Sequence, residues 1–386
     1  MSSRFFYPLF IGPFHPPAKR PGGNPVIPEM KRLARRRLWL GITNVGFWVL
    51  TTSFGLYWLA SYDPSDLGIR RLGFLLGAAV AVQAVFDFIG GLLLMPEPRP
   101  TIKAFLQRWS RGAFGHTLVL TGVGLLSYAS FRLSGGFCFA ILLATAGLAL
   151  GRRHIFRAMN GVAIKETPHN GGTLLVANPT DPAFTGGIVG FGRRAKSLIP
   201  GRWLATLPKE ELSVESGRRQ WQIESNLTRR AFILVLGWNL MGAYAGSLAF
   251  KLAERTPAEA LLAHACWMTL WTFGSLLILP TLSRKAVFKA DRAAADSGRD
   301  PRPWIARFPN LVGEDGSSNS NVQNIFYPIP SASQRSRQLE KPLSGFVAGN
   351  LARSNLYYSW ATFTLLGRAV HCNVGRPELW VFPPSA

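Results

Sequence analysis

Carboxylates are scarce in this chain: 20 Asp and Glu stand against 43 Lys and Arg among 386 residues, for a formal net charge of +23. Such an imbalance signals a nucleic-acid partner when the basic residues form one solvated face. Here they gather beside long apolar runs instead, as Lys and Arg do where they flank membrane spans and meet anionic headgroups. The expected partner is therefore a lipid bilayer, and no nucleic acid is expected. Cysteine is scarce as well. Cys138, Cys266 and Cys372 are an odd set without Cys-x-x-Cys spacing, and two of them lie inside apolar runs, so no disulfide framework is expected. The opening residues, MSSRFFYPLFIGPFHPPAKRPGGNP, lack a charged leader and a small-residue cleavage site, which argues against a cleaved signal peptide.

What the chain has in quantity is apolar surface, with 48% hydrophobic residues and a mean hydropathy of +0.14. Residues 1–37 read as a Pro/Gly-rich tail ending in a basic collar of Lys31, Arg32, Arg35, Arg36 and Arg37. Crossing a bilayer core of about 30 Å takes about 20 helical residues. Leu38 to Tyr62 and Leu72 to Met95 are long enough, and Phe114 to Leu150 divides into two spans at Arg132-Leu133-Ser134-Gly135-Gly136. Phe232 to Phe250 and Leu261 to Leu282 add two more, so the expectation is six spans, four of them within residues 38–151. Basic residues before spans one and three and after spans four and six all fall on one side. The positive-inside rule makes that side, and both termini, cytosolic.

Between spans four and five, Gly172 to Ala177 reads as a strand, Gly186 to Phe191 as a second and Lys196 to Ile199 as a third, with Asn178-Pro179-Thr180-Asp181-Pro182 as turn chemistry. Leu207-Pro208-Lys209-Glu210-Glu211-Leu212 then opens a helix expected to run through Gln222, its acidic residues in the first turn where the helix dipole favours them. This strand set and helix, followed by two spans and then by Ser283-Arg284 and Ala290-Asp291, resembles the membrane zinc peptidases that include the HtpX heat-shock peptidase and the CAAX prenyl protease. The resemblance covers roughly residues 160–340. It implies a small α+β domain of gluzincin-like fold at residues 152–340, interrupted by the spans 232–250 and 261–282, in a protein of the bacterial inner membrane.

The departures from the family pattern are systematic. Its His-Glu-x-x-His, which binds zinc and supplies a general base, aligns with Arg218, Arg219, Gln220, Trp221 and Gln222. Its third ligand, a glutamate, aligns with Val287, and the histidine of a later His-Pro-x-x-x-x-Arg stretch aligns with Ile329, ahead of Arg335. Guanidinium has no lone pair for a metal and takes no proton at working pH, so neither zinc nor any other cofactor is expected and hydrolysis by the family route should be absent. His154, His169, His371 and Cys372 lack ligand spacing, apart from the adjacent last pair.

Three functions stay open: a catalytically inactive scaffold, adaptor or subunit binding other membrane proteins or copies of itself; an active metallopeptidase with a noncanonical site; and a structural subunit of a larger membrane complex. Glu215, Arg218, Arg219 and Asp291 are expected to form either a buried ion-pair network or an anion site. Phe184, Gly186, Gly187 and Ile188 stand where the family pairs with substrate, so this stretch is expected either to accept an extended peptide or only to shape a turn. Asp87 inside span two is a functional candidate by its cost in the membrane, with a snorkelled or helix-paired carboxylate as the bland alternative, and His264 reads as interfacial. Residues 341–386 read as a C-terminal tail with a docked helix from Leu351 to Val370.

Overall fold

Long apolar runs punctuated by Gly, Pro and capping residues fold as helices in the computed structural model, which describes residues 26–61, 67–96, 99–169, 172–313, 323 and 325–385. Most of the expected N-terminal tail lies outside these residues. The basic collar does not belong to a tail: it is part of α1 (Val26–Ser61), which continues straight into the first apolar run. α2 (Ile69–Phe88) ends in a π-helical turn, Ile89–Leu93. α3 (Ile102–Ser134) starts on the Thr101 hydroxyl, which accepts from Ala104 N at 3.3 Å, and stops at Gly135 in the left-handed conformation, φ 68°. α4 (Cys138–Asn160) follows after the short turn expected there.

Beyond α4 lies a four-stranded sheet: β1 (Lys165–His169), β2 (Gly172–Ala177), β3 (Gly187–Val189) and β4 (Lys196–Pro200), in the order β1-β2-β4-β3. β1 and β2 pair antiparallel, β2 and β4 parallel, and β3 lies antiparallel on the β4 edge with Ile188 opposite Ser197. β1 is an addition to the three expected strands; its sequence KETPH has no apolar alternation to mark it. β3 keeps only part of the expected Gly186 to Phe191 stretch, because Gly186, Gly190 and Gly192 adopt positive φ and turn the chain out of the ladder.

The short α5 (Gly201–Thr206) leads to α6 (Lys209–Glu224), which begins where Pro208 predicts. α7 (Leu227–Ala249) and α8 (Pro257–Asp296) are the next long helices. A full capping box, Thr256 with Glu259, and Pro257 in the first turn start α8. At 40 residues α8 is about 60 Å long, twice a bilayer core, so its second half projects beside the sheet and delivers Asp291 there. α9 (Arg302–Val312) and α10 (Ala332–Gln338) complete that region.

The protein is thus mainly helical with a small sheet. Among the described residues five helices, α2 with its π turn, α3, α4, α7 and α8, are long and apolar enough to cross a membrane. That is one fewer than expected. α1 has the length, but Thr43, Asn44, Thr51, Thr52 and Ser53 dilute its apolar character. Large apolar side chains stand exposed around these helices, among them Leu50, Phe74, Phe114, Leu125, Ile233 and Leu248, as lipid-facing surface requires.

The C-terminal segment departs most from expectation. Leu351 to Val370 is no single docked helix; it breaks into α11 (Leu351–Tyr358), a 3-10 turn (Ser359–Thr362) and α12 (Leu366–Ala369), followed by α13 (Pro377–Trp380). The break falls at Phe363, at φ 63°. Nearly every residue from Leu351 to Phe382 is buried, in one core with parts of α3, α4, α7 and α8. Several of its polar groups are matched within the protein: Tyr357 Oη donates to Leu148 O at 2.9 Å, Asn355 Nδ2 to Ser275 Oγ at 2.6 Å and Asn373 Nδ2 to Gly367 O at 2.7 Å.

The π turn of α2 fits this segment closely. A Cβ on Gly91 would meet the Gly375 carbonyl and Phe105, whereas one on Gly147 would meet nothing. Gly91→Val should therefore lower the stability of the detergent-solubilised protein by about 1–3 kcal/mol, seen as an earlier thermal transition by fluorescence-detected size exclusion. Gly147→Val should unfold like the parent.

Candidate functional site

On α6, Glu215, Arg218 and Arg219 share one face by their i, i+3 and i, i+4 spacing. Arg218 Nη1 lies 2.5 Å from Glu215 Oε2 and Arg219 Nε 2.6 Å from Glu215 Oε1. Asp291, carried in by the projecting half of α8, forms an ion pair with Arg218, its Oδ1 lying 2.7 Å from Nε. The expected four-residue network therefore forms, and it has a fifth member. Arg335 of α10 grips Asp291 with both Nε and Nη2 at 2.7 Å, in the bidentate geometry that binds carboxylates most firmly. The signal for Arg335 was present in the sequence as the Arg of the Pro-x-x-x-x-Arg pattern. All five side chains are buried, which requires two carboxylates and three guanidiniums to compensate one another. Burial pulls the pKa of Arg218 down, but Asp291 and Glu215 more than offset it and the pKa is raised.

Arg219 carries the excess positive charge into the sheet. Its guanidinium donates to Thr185 O at 2.6 Å, to Gly187 O at 3.3 Å and to Leu198 O, and it lies over the Trp203 ring at 5.8 Å. It thereby ties α6 to the paired residues Gly187 and Leu198 at the β3–β4 edge. Gly186, at φ 76°, is required for that approach, because a Cβ there would run into the Leu198 carbonyl.

Gly186, Gly187, Ile188, Arg219, Gln222 and Val287 line one cleft. The fold thus brings these positions together, although Val287 mostly packs into a core with Leu174, Ile199 and Trp203. Phe184 is the exception. It is fully buried against Phe156 and Phe382 and offers no surface to a peptide. No local pattern marks residues 381–385 as the closure of this cleft: Ser385 N donates to Thr185 Oγ1 at 2.7 Å, and Arg152 donates to Val381 O at 2.8 Å while lying over the Phe382 ring at 4.3 Å. What remains open is about 80 Å³, below the few hundred Å³ of ordinary ligand pockets. Among the described residues no three His, Cys, Asp or Glu side chains converge as a metal would need.

A second buried charge system stands within the helical bundle. Asp87 of α2, completely inaccessible, pairs with Arg368 of α12 and accepts from Gly375 N at 2.9 Å, Trp109 Nε1 at 3.1 Å and Gln83 Nε2 at 3.2 Å. The carboxylate is therefore paired rather than snorkelled. Arg368 also meets His116 Nδ1 at 3.2 Å and stacks on Trp380 at 3.9 Å. His264 is buried, with its ring 4.2 Å from that of Phe137.

A third pair holds the turn after β2. Asp181 Oδ1 accepts from Ala183 N at 2.9 Å, the local closure that turn chemistry predicts, and Arg376 grips the same carboxylate. Burial opposes ionisation of Asp181, but Arg376 outweighs it and the carboxyl pKa is lowered. Glu378, which receives Thr180 N at 3.2 Å, has its pKa raised, by burial first and by neighbouring Asp181 second.

Compared with known proteins, the chain matches no family model and no curated protein.

Asp87→Asn leaves the Arg368 guanidinium buried among apolar groups without its counter-charge, and should cost about 3–5 kcal/mol. The double variant Asp87→Asn, Arg368→Met should recover much of that loss. Thermal unfolding of the three proteins in one detergent checks the order.

Proposed function

We propose that this protein is a non-catalytic membrane scaffold, built on a zinc-peptidase-like framework in which an arginine–carboxylate network stands where the metal and base would be. The observation that carries the reading is the Glu215–Arg218–Asp291–Arg335 chain of ion pairs with Arg219 locked to the sheet edge. At the positions the resemblance assigns to ligands and base stand guanidiniums, which present N–H donors outward and no lone pair, together with a valine and the amide of Gln222. A proton abstracted from water has no acceptor in Arg219, whose guanidinium offers N–H donors only. The framework holds its shape through these pairs and so presents a rigid surface beside the membrane. The basic residues at the sheet end of the bundle support a cytosolic position for it, with other membrane proteins or further copies of the chain as its partners.

Metal analysis of the detergent-purified parent, alongside Gln222→Ala, tests the reading without breaking any ion pair. Background zinc in both proteins is expected, together with a stoichiometric protein partner or homo-oligomer captured by cross-linking in membranes. About one zinc per chain in the parent, lost in the variant, would overturn the proposal in favour of a rebuilt peptidase site. A monomer that cross-links to nothing would overturn the scaffold role.

A further inference from the structure

The face of α1 that turns away from the bundle has a composition of its own. At about 100° per residue, Lys31, Arg32, Arg35, Arg36, Trp39 and Leu50 fall on one side of the helix, and all are exposed. Ala34, Leu38 and Trp48 fall on the other side, and all are buried. The exposed side is divided along its length: four cations come first, and Trp39 and large apolar side chains follow, with Leu50 73% exposed.

The buried Arg37 fixes the level of that division. Its guanidinium donates to Gly90 O at 2.6 Å and to Leu94 O at 3.1 Å, at the end of the apolar run Ile69–Leu93. Arg37 is therefore level with the end of a helix long and apolar enough to cross a membrane, and Lys31 stands about 9 Å beyond it. That reach matches a headgroup layer, about 5–8 Å deep beside the hydrocarbon core. Trp39 falls at the boundary, where indole rings collect.

The four cations are uncompensated. None of them forms an ion pair among the described residues. They also repel one another: Lys31 with Arg35, and Arg32 with Arg36, are like charges at i, i+4, an arrangement that destabilises a bare helix. An anion held between the members of each pair reverses the sign of that interaction. The two pairs run side by side, about 100° apart around the axis. Each is suited to one phosphate, which guanidinium binds in a forked geometry.

We propose that Lys31, Arg32, Arg35 and Arg36 bind one phospholipid that carries two phosphates, of the cardiolipin class. One phosphate sits at each cation pair, and the acyl chains run past Trp39 along the exposed apolar side of α1. None of these residues belongs to the ion-pair network or to the cleft beside it, so the site stands apart from the scaffold role.

Native mass spectrometry of the full chain, released from phosphatidylcholine nanodiscs holding cardiolipin and phosphatidylglycerol at equal phosphate, tests the proposal. One cardiolipin should stay bound per chain, favoured over phosphatidylglycerol about 25-fold, as two further basic residues at about fivefold each would give. Arg32→Gln with Arg36→Gln removes one pair and should make retention of the two lipids equal. Arg70→Gln with Arg132→Gln removes the same charge from exposed positions at the far end of the bundle and should leave the preference as in the parent. Cardiolipin should also raise the thermal transition of the detergent-solubilised parent more than phosphatidylglycerol does, a difference lost only in the first double variant. Equal retention of the two lipids by the parent, or equal loss of preference in both double variants, would overturn the proposal. So would capture of a protein in place of lipid by a photoreactive side chain at Arg36.

Discussion

Residues 351–385 bring several charged side chains into a bundle of long apolar helices, and the Arg368–Asp87 contact is the pair on which the arrangement depends. Moving either charge alone into apolar surroundings costs several kcal/mol; moving both together, with Gly375 N, Trp109 and Gln83 completing the carboxylate's hydrogen bonds, offsets much of that cost. The pair joins α2 to a segment 281 residues later in the chain. Arg37 acts in the same place, donating to Gly90 O at 2.6 Å in the π turn and to Val374 O at 3.3 Å, so that α1, α2 and the C-terminus are held as one unit.

The same solution appears a second time beside the sheet. Glu215, Arg218, Arg219, Asp291 and Arg335 come from three helices, and none of the five is stable buried alone. Together they fasten α6, α8 and α10, and through Arg219 they fasten that group to the strands. The C-terminus closes the cleft above them with Val381 to Ser385, whose contacts with Arg152 and Thr185 link the network to the bundle. In both places arginine does what histidine and water do in many enzymes, satisfying buried acceptors, but it does so without a titratable proton. That chemistry favours fixed geometry over reaction, which is why the proposed role is one of holding.

Much of this was legible in the chain itself. Apolar runs of span length, cut by Gly135, Pro257 and clusters of arginine, located α2, α3, α4, α7 and α8, because a helix in lipid must satisfy its own backbone and can be ended only by such residues. The i, i+4 spacing of Glu215 and Arg219 placed both on one face of α6, and short apolar stretches on either side of turn residues marked β2 and β4. β1 was missed because KETPH pairs through its backbone and buries little, so no side-chain pattern records it. The expected C-terminal helix failed for a related reason: its composition is right for a helix, but the chain breaks at Phe363 and turns again near Gly375 to fit among α2, α3 and α8.

That this is a mainly helical chain, with several runs long and apolar enough to cross a membrane and a small polar domain, is written in local order, since hydrophobic period and length follow from composition along the chain. So is the lack of metal donors at the Arg-rich positions on α6. Only the tertiary structure decided which charges meet. Asp87 with Arg368, Asp291 with Arg335 and Asp181 with Arg376 are separated by tens to hundreds of residues, and ion pairing depends on distance in space and on shared burial, neither of which is written in local order.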